Sequence, residues 1–171
     1  MGREIRKRGL IILCVVGSIL LMNEKSFSLG AKDTVIFKKN NVSYLSDMRP
    51  ASAKGKYTKD KNIEGRRITL GGFIFEKGLT FTTGTELEFA TKGKYKMLKA
   101  VIGNDFAFSE YTGQLIFEVY ADGKKIYESK PLVQKENETI GVPITGAKKI
   151  TLKVKGSIPT NFVAWADAQL F

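Results

Sequence analysis

Histidine is absent from all 171 residues of this sequence. Ser-His-Asp and Cys-His catalysis are thereby excluded, and so are metal centres of the Cys/His kind. The single cysteine, Cys14, lies in the N-terminal apolar run, so the rest of the chain can form no disulfide. Proline is scarce, at four residues, and there is one tryptophan, Trp165. No apolar run reaches the roughly 20 residues that a membrane-spanning helix needs. The run at 10–22 falls short of that span, and nothing later in the chain approaches it.

What is present in excess is positive charge. Lys and Arg number 28 against 17 Asp and Glu, a formal charge of +11. Residues 1–28 hold five basic and two acidic side chains, so the remainder keeps +8. That excess favours polyanions such as wall polymers, acidic glycans, nucleic acid or anionic lipid without choosing among them, or it simply keeps a lysine-rich surface solvated. Nothing in it points to a specific nucleic-acid partner. Arg3, Arg6, Lys7 and Arg8 precede the apolar run, and small polar residues follow it, the layout of a secretory signal peptide over 1–28. Ser26 and Ser28 supply the small residues for cleavage before Leu29, which predicts an exported protein with no transmembrane segment in its mature form. Cys14 sits inside the apolar core behind Ile12 and Leu13, which are not small, so the run does not resemble a lipidation signal.

The remaining 33–171 form one domain, and its periodicity is that of strands. Leu115, Phe117 and Val119 alternate with Gln114, Glu118 and Tyr120, which predicts an apolar face on a core and a wetter face opposite. Asp122-Gly123 fits a two-residue type I′ turn, since both central positions need positive φ. In the returning strand, 124–127, Ile126 is expected opposite Val119 and Tyr127 opposite Glu118, which would set Glu128 against Phe117. Ile150, Leu152 and Val154 alternate with Thr151, Lys153 and Lys155 in a second half-buried strand. Further strands are read at 67–70, 73–75, 79–81, 86–89, 95–102, 138–142 and 162–170. In the last, Ala164, Ala166, Ala168 and Leu170 share one face while Val163, Trp165, Asp167 and Gln169 share the other. Residues 49–66 are polar, lysine-rich and aperiodic, which predicts a long surface loop. About nine strands at this spacing, without a helix, give an all-β two-sheet sandwich of jelly-roll type.

Seven blocks carry a family likeness: YLSD at 44–47, ITLGG at 68–72, FEKGLTF at 75–81, GKYKMLKAVIGND at 93–105, GQLIFEVYADGKKIYES at 113–129, GAKKITLKV at 146–154 and AWADAQL at 164–170. In this order they resemble the NPCBM family, the carbohydrate-binding modules attached to secreted bacterial glycosidases, over about 42–171. The resemblance implies a galactose-binding-like β-sandwich, secreted, non-catalytic, recognising terminal sugars and often holding a structural calcium. Two departures stand out. A family histidine falls at Thr82, and the Asp-His-Ala-Asp before the last tryptophan reads Asn161-Phe162-Val163-Ala164. The fold inference survives these changes; an inherited specificity does not.

The candidate carbohydrate-binding residues are therefore Trp165, Asp105, Asn161, Thr82 and Asp167. Trp165 is either a stacking platform for a sugar's C–H face or a core residue. Asp105, at a Gly-Asn-Asp corner, either accepts from sugar hydroxyls or satisfies turn amides. Asp47 and Asp60 are the candidate oxygen ligands for calcium, although no calcium-loop spacing is present. Phe106, Phe108 and Tyr111 form either a contact surface or a plug under the sandwich end. Catalysis would need two carboxylates in one cleft, and Glu86/Glu88 and Glu136/Glu138 offer no shared pocket, so no catalytic residues are assigned. The expected function is recognition of a terminal hexose or a cell-wall polysaccharide. The alternatives are a secreted structural or partner-binding sandwich that has lost the sugar site, or a basic domain on anionic wall polymers.

Overall fold

The structure is a computed structural model that describes residues 42–105, 113–157 and 163–171. Residues 1–28, read from sequence as a signal peptide, the aromatic group Phe106, Phe108 and Tyr111, and Asn161 lie outside the described residues. Thirteen strands and one short 3-10 turn are seen among them. They are β1 (Ser43–Tyr44), the turn Leu45–Asp47, β2 (Ser52–Lys54), β3 (Tyr57–Lys59), β4 (Ile68–Leu70), β5 (Phe73–Phe75), β6 (Gly78–Phe81) and β7 (Glu86–Ala90). β8 (Met97–Asn104), β9 (Leu115–Ala121), β10 (Lys124–Glu128), β11 (Asn137–Pro143), β12 (Lys149–Gly156) and β13 (Val163–Leu170) follow.

Two antiparallel sheets face each other. One runs β11-β8-β13-β6-β3 with β1 added along β13, and the other runs β10-β9-β12-β7-β2. The alternations read from sequence close the core between them: Leu87 and Phe89, Leu115, Phe117 and Val119, and Ile150, Leu152 and Val154 are all buried. The tryptophan is the largest side chain in this core. Trp165 is fully buried, with its ring edge-on to Phe117 of the opposite sheet at 5.2 Å and tilted against Phe81 at 6.3 Å. A third element, the β4–β5 hairpin, packs Ile68 and Leu70 over Ala164 and Ala166 on the outer side of the six-stranded sheet.

Three expectations are corrected. Residues 49–66 are not wholly loop, because β2 and β3 form within them as edge strands of different sheets. Gly55 makes the corner at φ +90°, where a Cβ would lie 2.5 Å from Thr85 Oγ1. β2 is exposed throughout and β3 sets only Tyr57 against the core, so no periodicity marks them. The Asp122-Gly123 turn forms as expected, with φ of +48° and +86°, but the hairpin slips by one residue after it. A bulge between Lys125 and Tyr127 leaves Ile126 exposed and pairs Tyr127 with Val119 and Glu128 with Glu118.

The third correction concerns β13, whose register with β8 shifts between Ala166 and Gln169. Asp167 takes φ +48° there. The strand's faces exchange at that point. Val163 and Trp165 face the main core, and beyond the bulge Ala168 and Leu170 do so instead of Asp167 and Gln169.

Trp165→Ala should cost about 3–5 kcal/mol of stability through loss of buried area and the cavity left behind. Denaturant unfolding measures it, and a variant as stable as the parent would contradict the packing described.

Candidate functional site

Strand register brings the candidate residues together in two separate places. Val163, the first residue of β13, pairs with Phe81 of β6 on one side and Asn104 of β8 on the other. Thr82 and Asp105 each follow by one residue, so both stand at the same end of the six-stranded sheet. Two strand spacings, roughly 10 Å, separate their backbones. Thr82 is half-buried, its hydroxyl 3.0 Å from Thr85 Oγ1. Asp105 is fully buried, and Oδ1 accepts from the N–H of Thr69 in β4 at 3.3 Å. Its carboxylate thus anchors the β4–β5 hairpin. At the tip of that hairpin Phe73 is 71% exposed and Ile74 58%, the two most exposed large apolar side chains among the described residues.

Trp165 does not join this end as a platform, because its ring is in the core and neither face meets solvent. Asp167 is also elsewhere. It accepts from Gln169 Nε2 at 2.8 Å, and its backbone N–H donates to the carbonyl of Lys77 at 2.8 Å.

Lys77 marks the second place. Its ammonium donates to Asp47 and, at 3.0 Å, to Asp60, whose other oxygen accepts from the N–H of Gly78. The two carboxylates proposed for calcium do converge, but the cation between them belongs to the chain. Hydrogen bonds from Asp47 and Asp60 hold the Lys77 ammonium above the ordinary lysine range. Among the described residues no three His, Cys, Asp or Glu side chains are grouped to hold a metal. The residues present therefore do not fit a calcium ion, which would have to displace an ammonium already bonded to both carboxylates.

A third polar arrangement was hidden from sequence reasoning. Glu118 stands on the outer face of β9, expected to be wet, and is nevertheless fully buried. Lys155 Nζ donates to its Oε1 at 2.6 Å, Lys125 Nζ to the same oxygen at 3.3 Å, and Tyr120 O–H to Oε2 at 3.1 Å. Burial alone would raise its pKa; the hydrogen bonds from Lys155, Tyr120 and Lys125 outweigh that and bring it down to about 2. The ladder continues as Lys153–Glu86 and Lys149–Glu88 pairs, with Lys153 lying 4.7 Å over the Tyr120 ring. A shallow trough of about 360 Å³ crosses this face between Ser52 and Gly123. A period of two cannot distinguish a solvated outward residue from one roofed by long lysine stems; only the neighbouring strands' lysines hinted at it.

Residues 41–171 match the model of the NPCBM/NEW2 domain. The chain belongs to the NPCBM/NEW2 family. The "Putative endo-alpha-N-acetylgalactosaminidase" of Renibacterium salmoninarum is 33% identical over 137 residues, covering 73% of this chain but 9% of that protein. Among solved structures, CBM51 of Clostridium perfringens GH95 in complex with methyl-galactose superposes with a TM-score of 0.68 at 25% identity, covering 77% of this chain and all of that one. CBM51-2 with the INT domains of Clostridium perfringens ZmpB, in complex with GlcNAc, gives 0.68 at 24% identity, over 76% of this chain and 31% of that one. This NPCBM domain accordingly has the galactose-binding-like sandwich of carbohydrate-binding modules. Among the described residues no helix is long and apolar enough to cross a membrane.

Two outcomes follow from the site's electrostatics. Glu118 has a lowered pKa in the folded state, so its contribution is complete above the unfolded value near 4.5 and is lost as pH falls toward 2. Its size is about 2 kcal/mol, below what the full shift implies because its lysine partners are exposed and screened. Glu118→Gln should remove that part of the acid dependence, and an unaltered stability profile between pH 5 and 2 would contradict it. Chelator or added calcium should leave the parent's melting temperature unchanged, whereas a calcium-dependent rise would return a metal to Asp47 and Asp60.

Proposed function

We propose that this NPCBM domain is an exported, non-catalytic module that binds the terminal hexose of a glycan at the Thr82–Asp105 end of the six-stranded sheet. The observation that carries this reading is that Thr82, Asp105 and the start of β13 share one sheet end, where Asp105 anchors the hairpin that carries the exposed Phe73. A sugar needs an apolar surface for its C–H face and polar groups for its hydroxyls. Phe73 takes the first role, which buried Trp165 cannot. The Thr82 hydroxyl and Asn161, two residues before Val163 in sequence, take the second. Asp105 acts as a positioning residue that fixes the hairpin.

The complexes of the structural relatives, with methyl-galactose and GlcNAc, support a hexose as the ligand class. The family's histidines are replaced here, so the sugar preference is this chain's own. A hydrolytic role has no support in the carboxylate pairs: Glu86 and Glu88 are bonded to Lys153 and Lys149, and Glu138 accepts from the Tyr127 hydroxyl at 3.1 Å. The chain spans only 9% of the aligned glycosidase, consistent with a targeting module rather than a catalytic one.

Glycan-array screening of the exported protein, its N-terminus first confirmed at Leu29 by mass spectrometry, should show saturable binding to a terminal hexose. Phe73→Ala and Thr82→Val should each weaken it about tenfold, or ~1.4 kcal/mol, at unchanged melting temperature. Absence of any glycan bound better by the parent than by the double variant would leave a structural or partner-binding sandwich as the function.

A further inference from the structure

Two groups among the lysines of this domain differ in their partners. On the outer face of the five-stranded sheet Lys125, Lys149, Lys153 and Lys155 each meet a glutamate. The second group, at the end of the sandwich opposite Thr82 and Asp105, meets none. There Lys92 and Lys94 lie in the β7–β8 turn, Lys96 just before β8, Lys124 at the start of β10 and Lys148 just before β12. All five are exposed, and none forms an ion pair among the described residues.

These lysines are far apart in sequence and are gathered by the backbone. The N–H groups of Thr91 and Lys92 both donate to the carbonyl of Lys148 at 2.9 Å, and that of Gly93 donates to Ala147 at 2.8 Å. Thr91 Oγ1 reaches the same Ala147 carbonyl at 2.6 Å. On the other side Asp122 N–H donates to the carbonyl of Lys149 at 3.0 Å, and the Asp122 carboxylate accepts from the N–H groups of Lys148 and Lys149. The one aspartate within these turns is therefore spent on backbone amides, and nearby Glu88 is bonded to Lys149. The β9, β12 and β7 strands are consecutive in their sheet, so the turns stand side by side at strand spacing, about 4.8 Å apart.

We propose that this pole is a second binding site, for an acidic polysaccharide laid across the three turns. A row of unmatched ammonium groups on a rigid frame presents a positive potential with no competing internal partner. All five are lysines, with no arginine fork, so the site reads the spacing of anions along a chain rather than the planar geometry of one carboxylate. The run Lys54, Lys56, Lys59 and Lys61, the sequence's own candidate for polyanions, is less suited. It spreads over edge strands of two sheets, and the Lys59 ammonium is already donated to the carbonyl of Met48. The eight residues of β8 separate this pole from the Thr82–Asp105 end by roughly 25 Å. One domain could then hold a neutral sugar terminus at one end and an acidic chain at the other, raising avidity for a surface that displays both.

The test titrates the full chain with polygalacturonate and with heparin, using dextran as the uncharged control. Affinity for both acidic chains should fall at least about tenfold between roughly 50 and 200 mM salt. Exchanging Lys92, Lys94, Lys96, Lys124 and Lys148 together for Gln should abolish most of it, at unchanged melting temperature and unchanged hexose binding. The matching exchange at Lys54, Lys56, Lys59 and Lys61 should leave it largely intact. Parental affinity in the five-lysine variant, equal binding to dextran, or tighter binding to single-stranded DNA than to both polysaccharides would each overturn the proposal. Loss of hexose binding in Thr82→Val with polysaccharide binding retained would show the two sites to be independent.

Discussion

The contact on which the rest of this domain depends is the one between Trp165 and Phe117 across the two sheets. Edge-to-face aromatic contact adds about 0.5–1.5 kcal/mol to the area it buries, and it fixes the separation and angle of the sheets. Its strand, β13, lies between β8 and β6 and so sets the register of both. The indole N–H finds no acceptor among the described residues, which leaves packing to compensate for its burial. Because Trp165 must face inward, the half of β13 that follows can return Ala168 and Leu170 to the core only through the bulge at Asp167. At that bulge the Asp167 N–H bonds the backbone carbonyl of Lys77.

Charge is handled in three ways, each with a different consequence. Glu118 is buried and so must be saturated with donors, since an unmet carboxylate in that position would cost several kcal/mol. Lys77 is held between Asp47 and Asp60, and this internal ion pair occupies the place in which a divalent cation would need those same oxygens. The pole lysines are left exposed and unmatched, a state that costs little in water because solvent screens them beyond about a Debye length. Exposure without compensation is also what makes them available to a partner.

Several of these features were readable from residues alone, and others failed for identifiable reasons. The buried alternations of β7, β9 and β12 were plain because each strand has one apolar face. The Asp122-Gly123 turn was plain because few residue pairs tolerate two positive φ angles. The hairpin register was misread because a bulge is set by what the partner strand must bury, here Tyr127 at the expense of Ile126. Edge strands β2 and β3 were invisible since they are three residues each and Tyr57 alone of their side chains packs on the core.

By itself the sequence determined the class of the domain. The absence of histidine and of disulfides excluded whole chemistries, the period-two patterns required a sandwich, and seven ordered blocks identified its family. Which residues work at a surface was decided only by tertiary structure. Trp165 and Asp105 are inside, Phe73 is outside, and five scattered lysines stand together, because exposure depends on which strands lie on either side. Strand neighbours are set by long-range pairing, a property of the folded chain that local residue order does not carry.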